Sequence, residues 1–395
     1  MKRPSFEGSG GFRVGVGEAA GAVADLGVMV PLAAALILVN GLSAGAVLLC
    51  VGLLYVGAGA WFRVPFPVQP FKAVTAIAVA EGLAPGVIHA AGLEMAGLLL
   101  LISLGGLADH LARIFTKPVI RSLQLGVGIL LAIAAWKLVA HPPEVFTGVP
   151  PSPWPLVLAV ATFAGVAVAA RTRRYWGALA ILVAGTAATA VVARPDLSGP
   201  ALALPVPGLP SAAAFGTAFW LLVVPQFPLT FGNAVVAVND LAHEYFGHAA
   251  RRVSPSRICV SDAMGNLAAG LLGGMPMCHG AGGLTAHVKL GARTAGMNLL
   301  LGGGLILVGT FFARDVPILL GLLPVWALAA LLAYAGLRHA MLVSDLRGWV
   351  LGVAVAGGVT GAILGNLAVT AALVLLVDHS GRTARRLAGR IGARS

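Results

Sequence analysis

Gly274-Met275-Pro276-Met277-Cys278-His279-Gly280-Ala281-Gly282-Gly283-Leu284-Thr285-Ala286-His287 decides how the rest of the chain is read. An apolar segment, Ile258 to Gly273, leads into it, and the basic residues Lys289 and Arg293 follow. Proline, a Cys-His pair and closely spaced glycines at the mouth of an apolar span are poor material for a plain membrane helix and good material for a broken one. A half-helix beginning at Cys278 or His279 points unpaired backbone N–H groups and its positive dipole end into the protein. Such an end binds anions. Irregular backbone at membrane depth is tolerated only inside protein or beside a water-filled cavity. The stretch therefore reads as half of an anion site.

Composition makes the surroundings a membrane. Of 395 residues, 58% are hydrophobic and only 10% charged, against roughly 25% charged in a soluble protein. Apolar runs near the ~20 residues that span a bilayer recur from end to end. They fall near 15–39, 42–60, 66–80, 84–106, 118–140, 153–170, 175–193, 212–238, 258–274, 279–288, 295–313, 316–335, 345–358 and 360–377. The expected fold is an all-α polytopic membrane protein of about 14 spans. No cleavable signal peptide is expected, because the first apolar run is long enough to remain as a span. Cys50, Cys259 and Cys278 lie in or beside spans and give neither a disulfide framework nor zinc spacing.

The net charge of +12 does not point to nucleic acid, because the charges follow topology. With alternating spans and both termini inside, 22 of the 26 Lys and Arg fall on the inner side and only Lys137, Arg194 and Arg314 on the outer. That asymmetry is the positive-inside pattern, and it predicts cytoplasmic termini. The long outer loop from Arg194 to Pro210 reads as a linker between two halves.

The halves resemble each other. Val64-Pro65-Phe66-Pro67-Val68-Gln69-Pro70-Phe71-Lys72-Ala73 follows two spans and opens a short one, as Met275 to Gly280 does in the second half. Seven spans on each side of the linker make the second half inverted. Short, Gly/Pro-interrupted segments at matching positions of inverted halves point to a transporter's midplane site. Candidate substrate contacts are therefore Gln69, Pro70, Phe71 and Lys72 at one half-helix, and Cys278, His279, Gly280, Ala281 and Gly282 at the other. Gln226 and Asn233, in the proline-distorted Pro225 to Asn233 stretch, could line the same cavity. Asp25 and Glu94 lie mid-span, where a carboxylate carries a proton or braces a cation. Asp262 and His287 read as structural, Asp262 as a cap or salt-bridge partner near an inner end. His243 and His248 are five apart, one too many for the zinc-protease pattern. No metal, cofactor or catalytic group is expected.

Pro67 to Lys72, Pro225 to Asn233, and Pro276 to Gly283 followed by Gly291-Ala292-Arg293-Thr294 resemble the molybdate transporter family, a branch related to the sulfate permeases. The likeness covers nearly the whole membrane region. It departs at Phe71, where methionine is common, and at His287, where glutamine is common. The resemblance implies high-affinity molybdate uptake, with sulfate, tungstate or another oxyanion, or an anion channel, as alternatives. It implies a seven-plus-seven inverted repeat, as in sulfate and uracil permeases, and a homodimer. A core domain would comprise residues 14–110 and 212–313, and a gate domain 111–195 and 314–377. The tail 1–13, the linker 196–211 and the basic tail 378–395 complete the chain, with no STAS domain expected after the last span. The expected setting is a bacterial-type inner membrane.

Overall fold

The computed structural model describes residues 11–22, 26–104, 107, 116–142, 155–171, 177–367, 369–370, 372–378 and 380. Helix dominates, as it must where lipid leaves backbone groups no other partner. In chain order the helices are α1 (Val16–Ala22), α2 (Leu26–Leu38), α3 (Ala44–Phe62), α4 (Lys72–Glu81), α5 (Pro85–Ser103), α6 (Lys117–Ala140), α7 (Pro155–Arg171) and α8 (Gly177–Ala193). The run α9 (Ala212–Arg252) follows. Then come α10 (Pro255–Leu272), α11 (Ala281–Lys289), α12 (Gly296–Phe311), α13 (Asp315–Gly321), α14 (Val325–Ala340) and α15 (Gly348–Ile363). Two short strands, β1 (Gln69–Pro70) and β2 (Met277–Cys278), interrupt them.

Five helices among the described residues are long and apolar enough to cross a bilayer alone, and α12 with α13, bent by 107°, makes a sixth as a broken pair. Several expected spans have other bounds. The one over 15–39 contains α1 and α2, with Pro31 inside the second and residues 23–25 outside the described residues. The one over 66–80 begins only at Lys72, because Pro65, Pro67 and Pro70 hold the preceding residues extended. The one over 279–288 begins at Ala281. The one over 316–335 is cut before Val325, where Pro324 caps α14. The one over 212–238 runs on to Arg252. In that run, π-helical turns at Phe219–Val223 and Thr230–Val236 flank Val224–Leu229. Pro225 and Pro228 supply no backbone donor, and the widened turns accommodate that loss without ending the helix.

Small residues decide which helices pair. Lipid is as apolar as leucine, so helices associate in it by close packing. Along α3 and α12, Gly45 faces Gly309 and Gly52 faces Gly302, and a Cβ on any of them would press on the opposing carbonyl oxygen. Gly128 of α6 and Gly336 of α14 stand in the same reciprocal relation. α10 packs on α5, where a Cβ on Gly270 would meet His89 O. Glycine is costly for helix propensity, yet here it lets backbones touch.

The stretch expected to be a plain linker is tied down. Asp315, buried at the start of α13, accepts the Ser198 and Gly199 N–H groups at 2.8 and 3.1 Å. Ala201 N donates to Phe311 O at 2.7 Å, Ala203 N to Thr310 O at 2.8 Å and Gly208 N to Leu271 O at 2.8 Å.

Candidate substrate site

The site is a crossing of two extended segments. β1 pairs antiparallel with β2, Gln69 opposite Cys278 and Pro70 opposite Met277. Phe71 N then donates to Pro276 O at 3.0 Å. Each strand runs straight into a half-helix, α4 after β1 and α11 after β2. Because the strands are antiparallel, the helices leave in opposite directions and their N-termini meet at the crossing. Crossing and first turns are packed tight: Gln69, Phe71, Cys278 and His279 are all buried. Pro70, Gly280 and Ala281 are buried as well, while Gly282 is exposed.

Polar clamps from neighbouring helices hold β2 and the extended segment leading into β1. Asn266 of α10 accepts from Met277 N at 3.0 Å and donates to Met277 O at 2.7 Å. Asn298 of α12 does the same for Phe66, accepting from its N–H at 3.0 Å and donating to its carbonyl at 2.7 Å. Tyr55 adds a hydroxyl donating to Val68 O at 3.1 Å. Asp262, expected near a span end, is fully buried beside the crossing and accepts from His279 N at 3.0 Å. A buried amide left without partners costs about 1–3 kcal/mol, so these clamps justify polar residues inside α10 and α12. Sequence reading passed over Tyr55, Ser261, Asn266 and Asn298. Each alone looks like an ordinary polar residue of a membrane helix, and only their distance to a strand distinguishes them.

The His279 ring is fully enclosed. Nδ1 lies 2.7 Å from Pro67 O and Nε2 2.9 Å from Ser261 Oγ. Phe66 stands edge-to-face on the ring at 4.6 Å. The ring thus ties β2 to the segment before β1, and both its nitrogens have protein partners.

The two helix starts differ. At α4, Gln226 Oε1 accepts from Ala73 N at 2.9 Å and Val74 N at 3.4 Å, and Gln226 Nε2 donates to Thr230 Oγ1 at 2.9 Å. Lys72 Nζ donates to Gln69 Oε1 at 2.7 Å, which sets a cation at the crossing. At α11 the cap is Gly280, with no side-chain cap. A Cβ on Gly280 would collide with Gln69 Oε1, whereas one on Gly282 would stand in open space. The first N–H groups of α11 lie beyond any intrahelical acceptor, beside that opening.

Three candidates, together with His287, which reads as structural, stand apart from the strand pairing or are not described. Asn233 is half-buried on the π turn after Gln226. Glu94 is half-buried on α5, with its buried Oε2 unpartnered among the described residues. His287 is fully buried, with Nδ1 2.8 Å from Gly21 O. Asp25 lies outside the described residues.

Comparison with known proteins agrees with this architecture. The family model described as "Molybdate transporter of MFS superfamily" matches residues 17–131 and 218–338, more than half the chain. "Molybdate transporter 2" of Arabidopsis thaliana is 30% identical over 84% of this chain and 79% of its own length. "Molybdate transporter 1" of Chlamydomonas reinhardtii is 30% identical over 92% and 88%. The transmembrane domain of the cyanobacterium bicarbonate transporter BicA shares the fold with a TM-score of 0.63 at 18% identity, covering 89% of this chain and 96% of that one. Murine Solute Carrier 26 family member A9, an anion transporter in the inward-facing state, does so with 0.64 at 13%, covering 94% and 70%. With a family match over both sides of the crossing and transporters alone among these likenesses, the chain belongs to the molybdate transporter family, integral membrane transporters and not enzymes.

Proposed function

We propose that the chain imports molybdate by alternating access, binding the tetrahedral dianion between the N-termini of α4 and α11. The observation that carries this reading is the antiparallel crossing of Gln69–Pro70 with Met277–Cys278. It brings two positive helix ends, the Gln69 amide and Lys72 together, and helix N-termini and fixed donors replace part of an anion's hydration. Backbone N–H groups of Gly280, Ala281 and Gly282 and the Gln69 side chain make the contacts. Phe71, Pro70 and Cys278 shape the wall, and Gln226 and Asn233 line it from α9. His279 acts through its ring as the brace of this arrangement, since both ring nitrogens already have partners. The relatives named for molybdate support the substrate.

The architecture we assign is fourteen crossings in a seven-plus-seven inverted repeat. The core domain is 14–110 with 212–313 and the gate is 111–195 with 314–377, joined by 196–211. Both termini are cytoplasmic, in a bacterial-type inner membrane, and two copies form a homodimer. The two half-helices that each follow one strand of the crossing support the repeat. The gate moves against the core to expose the crossing to either side. An inside-negative potential opposes dianion entry at about 2.3 kcal/mol per charge per 100 mV, so accumulation needs coupling. We assign it to protons carried by Glu94 or Asp25, with His279 the other candidate.

The test is a binding titration of the purified chain with molybdate, competed by sulfate and tungstate, with Gln69→Ala and His279→Ala alongside. Molybdate is expected to win, with binding weakened in both variants. Undiminished affinity in both removes the site, and preference for sulfate reassigns the substrate. In proteoliposomes, uptake is expected to saturate, show counterflow and rise with an inward proton gradient. Uptake indifferent to that gradient removes the coupling, and unsaturable flux makes the protein a channel.

A further inference from the structure

We infer that the outer face of α3 and α10 holds a binding site for an anionic phospholipid. A cavity of about 620 Å³ lies at the C-terminal end of α3 and the N-terminal end of α10, lined by Gly57, Ala60, Trp61, Arg251, Arg252 and Arg257. Its three arginines are exposed, and none pairs with a carboxylate among the described residues. They are held, not loose. Arg251 and Arg252 end the tight turn Gly247–Arg252, Arg251 Nη1 lies 3.3 Å from His248 Nε2, and Arg257 Nη1 donates to Arg252 O at 3.2 Å. Three guanidinium groups gathered without a counter-charge repel one another until an anion arrives. Guanidinium forks suit phosphate oxygens in particular.

The second half of the argument is apolar. A groove of about 210 Å³ shares Gly57 and Trp61 with the basic cavity and continues between α3 and α10 along Leu53, Leu54, Met264 and Ala268. Leu53, Trp61 and Met264 are exposed, at 44%, 50% and 54%. Trp61 stands between the two compartments, one residue from the end of α3. Tryptophan is favoured at headgroup level, where one side of the ring is wet and the other apolar. A basic head pocket joined through a tryptophan to an apolar groove matches a phosphate ester carrying an acyl chain. A free phosphate would use only the first compartment. None of these residues takes part in the strand crossing except Ser261 at the groove's inner end, whose hydroxyl meets the His279 ring.

Native mass spectrometry of the purified full chain tests this with phosphatidylglycerol, phosphatidylcholine and inorganic phosphate as probes. Wild type is expected to retain phosphatidylglycerol about tenfold more tightly than phosphatidylcholine, given the attraction of membrane-surface arginines for anionic lipid. Joint Arg251→Gln, Arg252→Gln and Arg257→Gln is expected to abolish that preference. Joint Leu53→Trp and Met264→Trp fills the groove and is expected to expel phosphatidylglycerol while leaving inorganic phosphate binding unchanged. All five substituted side chains are exposed, so melting temperatures should match wild type and a loss of lipid is not a loss of fold. Equal retention of the two lipids by wild type overturns the proposal, as does a preference that survives the three Gln substitutions. Inorganic phosphate that displaces phosphatidylglycerol, with no effect of filling the groove, overturns it in favour of a free phosphate ligand.

Discussion

The starts of α4 and α11 are alike in position and unlike in chemistry. Both follow a strand of the same two-stranded crossing. At α4, another helix already satisfies the first turn, because Gln226 takes the Ala73 and Val74 N–H groups. A lysine adds charge there through its bond to Gln69. At α11, the first turn has a glycine cap, no side-chain acceptor among the described residues, and an exposed Gly282 with open space beside it. One end is therefore finished by the protein and contributes fixed charge and shape. The other keeps its first N–H groups beside an exposed glycine, where the anion is proposed to sit. Two N-termini with the same dipole are thus capped differently, and under the proposed reading that difference divides the work of holding a ligand.

The largest test of that division is Gly282→Asp. The new Cβ has room, so the fold should survive, but a carboxylate would stand where the substrate is proposed to sit. Like charges brought together cost several kcal/mol, so molybdate affinity should fall at least about a hundredfold in a calorimetric titration. Affinity within a factor of a few of wild type would mean that α11 is not the open end. Next in size is Asn266→Ala, which strips both backbone partners from Met277. The melting curve should report a stability loss of about 2 kcal/mol, and Asn298→Ala should cost a similar amount at Phe66. A loss at one asparagine and none at the other would break the likeness between the two extended segments.

Gln226→Leu sharpens the α4 side. Removing a cap typically costs about 1 kcal/mol, so stability should drop by that much while molybdate affinity falls less than it does for Gly282→Asp. A larger affinity loss at Gln226 would reverse the roles of the two ends. Smallest is Lys72→Gln. A half-buried lysine bonded to a neighbouring amide contributes a screened charge, so affinity should fall about threefold and depend less on salt. Salt dependence unchanged from wild type would show that the Lys72 charge does not reach the ligand.

Much of this was legible in the chain itself. Pro67, Pro70, Pro276 and the Gly280-Ala281-Gly282-Gly283 run announce two interrupted spans, because proline and glycine act on the backbone locally and need no neighbour to do so. The span boundaries were less legible. The span over 66–80 starts only at Lys72, the one over 316–335 is cut before Val325, and Pro225 and Pro228 lead into π turns instead of ending α9. The stretch from Arg194 to Pro210 looked idle, and buried Asp315 fastens its backbone.

Apolar length, charge asymmetry and backbone breakers are properties of neighbouring residues, so the chain read alone already points to a membrane protein with two interrupted short helices. What each polar group at the crossing does depends instead on the segments that folding packs beside it. His279 reads as a free donor beside a glycine run, yet folding brings Pro67 O, 212 positions away, to one ring nitrogen and Ser261 to the other. Gln226 reads as a cavity-lining amide, yet it caps a helix 153 positions earlier. A hydrogen-bonding side chain takes its role from the partner that reaches it, and in a crossing of distant segments that partner is chosen by packing.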